Sequence, residues 1–112
     1  MKATTRTADG VEIISLQGKI TIGAGDTQLR EVITNAVNEG RTKILLDLSG
    51  VTTIDSSGIG ELVGSYTTVT NRGGKLKLLN LPSKVNDILQ ITQLISVFDV
   101  YDNEREALDS FG

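Results

Sequence analysis

The chain has no cysteine, no histidine and no tryptophan, a single proline, and only two tyrosines and two phenylalanines. Each absence removes a chemistry. Without cysteine there is no disulfide and no thiol redox centre. Without histidine, Ser-His-Asp and Cys-His nucleophile systems are excluded, and so are zinc sites built on His or Cys. No apolar run approaches the eighteen or so residues of a membrane span. No basic run offers a footprint for nucleic acid or an anionic bilayer. The N-terminal Met1-Lys2-Ala3-Thr4-Thr5-Arg6 lacks the apolar centre of a secretory signal. The expected compartment is a reducing cytosol, with no nucleic-acid partner and no direct membrane contact.

What remains is a chain of 112 residues with 12 glycines and a formal charge of −3. That length predicts one domain over 1–112, with a core that must be aliphatic. Phosphate-cradling loops are missing too. There is no Gly-Lys-Ser/Thr run, and Gly58-Ile59-Gly60 continues to Gly64, one residue beyond the dinucleotide spacing. Ser56 lacks the glycine two residues earlier that a nucleophile elbow needs. The expectation is a protein that is not an enzyme and holds no cofactor.

The apolar pattern predicts an α/β domain. Residues 2–8 alternate weakly and lead into Asp9-Gly10, a hairpin turn, with a returning strand from Val11 to Leu16 that ends at Gly18. Asp26 is placed to cap a helix whose stripe is Leu29, Val32, Ile33, Ala36 and Val37, with Gly40 after its last turn. Ile44, Leu45, Leu46 and Leu48 make the run of a strand covered on both faces, followed by a loop over 49–54. A second helix spans Ser56 to Asn71, and Lys75 to Leu79 form a strand. Pro82 heads a third helix, Val97 to Tyr101 form a last strand, and Asn103 with Glu106 has capping-box spacing for a terminal helix. The result is a mixed sheet of about four to five strands with about four helices and right-handed crossovers. Asp47, a carboxylate in an apolar strand, needs hydrogen bonds and is expected to tie the 49–54 loop to backbone N–H groups.

The segment from Lys43 to Gly60 carries the most information. Leu46-Asp47-Leu48 is followed by Ile54-Asp55-Ser56-Ser57-Gly58-Ile59-Gly60, a strand, a short loop and paired hydroxyls at a helix start. A serine there is either a helix cap or a place for a phosphate, because helix N-termini accept anions. This order resembles the signature of STAS-domain anti-sigma factor antagonists of bacteria, over about Val11 to Leu108 and including Gly73-Gly74-Lys75-Leu76. The resemblance implies a single STAS domain, phosphorylated on Ser56 by a partner that is both anti-sigma factor and serine kinase. Unmodified, such a protein binds the anti-sigma factor and frees a sigma factor; a separate serine phosphatase resets it. ATP belongs to the kinase.

Ser57 is the candidate for a positioning role. Asp55 either orients the serine or caps the loop. Gly60, Glu61, Gly64, Ser65, Thr67 and Thr68 lie opposite the apolar stripe of the second helix, so Gly58, Gly60, Glu61 and Gly64 are candidate partner contacts. Two glycines four apart cost about 1 kcal/mol each against alanine. Either a docking surface or close packing within the chain would account for them. The resemblance also brings the loop Gly18-Lys19-Ile20-Thr21 beside the site. There the chain departs from the family, with Lys19 where many members are acidic and Thr21 where they carry aspartate. Two other roles share these features: a STAS scaffold whose serine is only a cap, and a STAS subunit of a membrane transport complex.

Overall fold

The computed structural model describes all 112 residues. Strands β1 (Lys2–Ala8) and β2 (Val11–Ile20) form a hairpin. Its turn puts Asp9 at φ 52° and Gly10 at φ 77°, the left-handed pair that matches strand twist. Helix α1 (Gly25–Asn38), strand β3 (Lys43–Ile54), helix α2 (Ser56–Asn71) and strand β4 (Lys75–Leu79) follow. Helix α3 (Ser83–Ile91), a 3₁₀ turn over Leu94–Val97, strand β5 (Val100–Tyr101) and helix α4 (Glu104–Ser110) complete the chain. The five strands lie in the order β1-β2-β3-β4-β5. Only β1 is antiparallel to its neighbour; β2 through β5 are parallel.

Alternation along the central strands sorts their side chains to two faces. Ile14, Ile44, Leu46, Leu76 and Leu78 pack with α1, α2 and α3, through Leu29, Ile33, Leu62, Val69, Val85 and Leu89. Ile13, Leu45 and Leu79 face the other way, against Ala107, Leu108 and Phe111 on and just after α4. Lys77 shares that second face and is only 7% exposed. Its ammonium donates to Ser110 O at 3.1 Å and Ser110 Oγ at 2.9 Å, and lies 5.0 Å from the Phe111 ring centroid. A buried lysine of this kind needs donors' partners; the C-terminal carbonyl of α4 and an aromatic face supply them.

Four expectations are corrected. The second strand does not end at Gly18 but runs through Ile20. The 49–54 segment is not a loop: β3 continues to Ile54 and pairs with 17–20 of β2. It does so through two register shifts that place extra residues on β3, and such bulges increase twist. Asp47 sits at the first of them, where its carboxylate accepts from Ser49 N at 3.0 Å, the backbone tie expected of it. Asp26 is no cap, because α1 starts two residues earlier than such a cap requires, at Gly25, and its N-cap is Ala24. The last strand is two residues long, because Leu94–Val97 coils into a 3₁₀ turn.

The α4 face rests on few side chains. Phe111→Ala should lower stability by about 3–5 kcal/mol in urea denaturation. Amide exchange in 104–110 should speed up more than in α2.

Candidate functional site

Parallel strands β2 and β3 end in register, with Ile20 opposite Ile54. The two chains therefore leave the sheet side by side, at the carboxyl ends of parallel strands where α/β proteins place their sites. Asp55 is the first residue past β3 and the N-cap of α2, in extended conformation. One carboxylate oxygen accepts from Gly58 N at 2.9 Å, satisfying a first-turn N–H. The other accepts from Ile22 N at 2.9 Å, in the loop between β2 and α1. One side chain thus closes a helix start and holds a neighbouring loop. These bonds, Ile22 first and Gly58 second, hold the Asp55 carboxyl below the usual carboxylate range.

Of the two readings of Asp55, capping is the one the geometry meets. Ser56 is then the first residue inside the helix, not its cap, and it is exposed. Its hydroxyl has no part in either bond that secures the helix start. Ser57 follows, half-buried. Gly58 is buried, and a methyl group there would meet Ile20 O at 2.1 Å and Ile54 Cγ1 at 2.7 Å. It serves close packing of α2 onto the end of β2, and it is not a surface contact.

Gly60 and Gly64 behave differently. Nothing lies within 4 Å of an added methyl at Gly60, and only a Glu61 carboxylate oxygen at 3.9 Å approaches one at Gly64. Close packing within the chain does not account for either. They border a groove of about 350 Å³ between α1 and α2, which Arg30, Thr34 and Thr68 also line. Glu61 bridges the two helices by accepting from Arg30 Nε at 3.0 Å. Ser65, expected on the outward face, is instead 3% exposed, and its hydroxyl has no hydrogen-bond partner. The buried residues of α2 are Gly58, Ile59, Leu62, Ser65 and Val69, so the covered strip lies slightly to one side of the apolar stripe read from the sequence.

Lys19 and Thr21 do not share one loop. Lys19 is an exposed residue of β2 paired with Thr53. Alternation with buried Ile20 turns its side chain to the face away from α2. Thr21 begins the loop and is half-buried, its carbonyl accepting from Asp26 N at 3.1 Å. The residue that meets Asp55 is Ile22, which the sequence did not single out. Its contact is made by backbone, so no side-chain pattern signals it.

This geometry sets the effect of substitutions at Asp55, Gly58 and Gly60. Asp55→Ala should lower the unfolding midpoint and accelerate amide exchange at Ile22 and Gly58 together. Because the folded-state pKa of Asp55 is depressed, its contribution is complete above the ordinary carboxylate value of about 3.9. It is lost as pH falls from there through the lower folded value, so the difference between wild type and Asp55→Ala should shrink in strong acid. Gly58→Ala should cost about 1–3 kcal/mol through overpacking. Gly60→Ala, by contrast, should stabilise the chain by about 1 kcal/mol, both read by urea unfolding.

The STAS domain family model matches residues 2–107. Among named relatives, the anti-sigma F factor antagonist of Paenibacillus polymyxa is 29% identical over 100 residues, 88% of this chain and 85% of that protein. The crystal structure of the Thermotoga maritima protein TM1081 superposes with a TM-score of 0.89 at 26% identity, covering 97% of this chain and 93% of that one. The Bacillus cell fate determinant SpoIIAA in its phosphorylated form shares the fold at a TM-score of 0.74 and 23% identity, covering 97% and 98%. With a parallel β2–β3 end, an aspartate-capped helix and a family match across nearly its whole length, the chain belongs to the STAS domain family, and anti-sigma factor antagonists are among its relatives.

Proposed function

We propose that this chain is a cytosolic anti-sigma factor antagonist switched by phosphorylation of Ser56. Unmodified, it binds an anti-sigma factor that is also a serine kinase, and so releases a sigma factor. In the modifying step the Ser56 hydroxyl oxygen takes the γ-phosphoryl group of kinase-bound ATP, ADP leaves, and the proton passes to a base of the kinase. The phosphorylated chain lets go, and a serine phosphatase resets it by hydrolysis.

The observation that carries this reading is the division of labour at the start of α2. Asp55 performs the capping, so the exposed hydroxyl of Ser56 is left with no structural duty. A phosphate adds about −1.5 to −2 charge. The N-terminal end of a 16-residue helix favours it, while the ionised Asp55 beside it opposes it. The fold is therefore expected to survive, and the change falls on the surface offered to a partner. The open backbone at Gly60 and Gly64 supplies a surface another protein can approach closely, with Ser57 and Glu61 beside it. Each 1.4 kcal/mol lost at such an interface is a tenfold weaker complex.

The test is incubation of the purified chain with ATP and a lysate of its own cells, followed by peptide mass mapping. A phosphate is expected on Ser56, lost in Ser56→Ala without moving to Ser57. Ser56→Ala itself should change stability by no more than about 0.5 kcal/mol, since the residue caps nothing. Ser56→Asp should stay folded and bind the kinase much more weakly. Absence of phosphate where a control substrate is modified would leave a STAS scaffold as the reading.

A further inference from the structure

We propose that Ile22 is the apolar anchor of this same docking surface, seated in an apolar pocket of the kinase next to the place that receives Ser56. The inference rests on the reading of Ser56 above. Ile22 is 74% exposed, one of the few large apolar side chains left in solvent. A lone exposed isoleucine is ordinary; what sets this one apart is its mounting. Its N–H is held by the Asp55 carboxylate, one residue before Ser56. The loop that carries it is short and fixed at both ends. Thr21 O accepts from Asp26 N, and Gly25 lies so close to β2 that a methyl there would meet Lys19 O at 2.2 Å. The flanking Gly23 and Ala24 are small and exposed, so nothing on this chain stops a partner from closing around the side chain.

A side chain presented on a fixed backbone loses little freedom when it binds, and a central aliphatic anchor in a pocket is the usual core of such an interface. Asp55 makes the two features one epitope: it starts the helix that bears Ser56 and holds the loop that bears Ile22. The similarly exposed Ile91, at 82%, ends α3 and has no hydrogen bond to this loop.

The experiment places a photoreactive benzophenone amino acid at Ile22, Gly60 or Ile91 and irradiates the chain in its own cells. An ATP-binding serine kinase is expected to be captured from positions 22 and 60, not from 91, and capture should be lost with Ser56→Asp. Against that kinase, once purified, Ile22→Ser should raise Kd roughly 10- to 100-fold with an unchanged unfolding midpoint. Capture from position 60 alone, or unchanged affinity of Ile22→Ser, overturns the anchor and leaves the Ser56 reading standing. Capture of a second copy of this chain at position 22 overturns it in favour of self-association. No kinase at either position removes the Ser56 reading and the anchor with it.

Discussion

The Asp55 carboxylate joins two segments 33 positions apart, and the arrangement of the site depends on that junction. It works because β2 and β3 finish level with each other, Ile20 beside Ile54, so one short side chain reaches both a helix N–H and a loop N–H. With both oxygens engaged, the helix start is secured from outside the helix. The serines that follow are relieved of the task that serines most often perform at such places. A reactive or modifiable hydroxyl can then change its chemistry without loosening the structure that presents it.

The two faces of the sheet divide the work of stability unequally. Three helices cover one face with a broad aliphatic core, and this is the side from which α2 projects its first turn. The other face has a single short helix, held by Phe111, Leu108 and the buried ammonium of Lys77. A chemical change at the start of α2 is thus backed by the larger core. The smaller one lies on the far side of the sheet.

Much of this was readable where local rules govern. Asp9-Gly10, the bounds of α2, and the capping of α4 by Asn103 through Glu106 N at 3.0 Å depend on residues within a turn of one another. The site was less readable because its determinants cross between segments. Asp55, Ser56 and Ser57 are all good N-caps in isolation, and only the level ending of two strands selects Asp55. Ser49-Gly50 has the look of a loop, yet the β-branched Val51, Thr52, Thr53 and Ile54 after it favour a strand, and the bulges let both signals hold. Ser65 was assigned to the outward face because the strip of α2 that the fold covers reaches beyond the apolar stripe, and a serine gives no sign of burial.

Gly25 and Gly58 both press against the last carbonyls of β2, where an added methyl would lie 2.2 Å from Lys19 O and 2.1 Å from Ile20 O. The starts of α1 and α2 are therefore set by backbone contact, not by the side chains between them. Residues 21–24 span a gap whose ends are both packed against backbone, which makes them an exchangeable cassette. On the function proposed above, transplanting a relative's version would alter whom the surface recognises while leaving the frame, and Ser56, where they are.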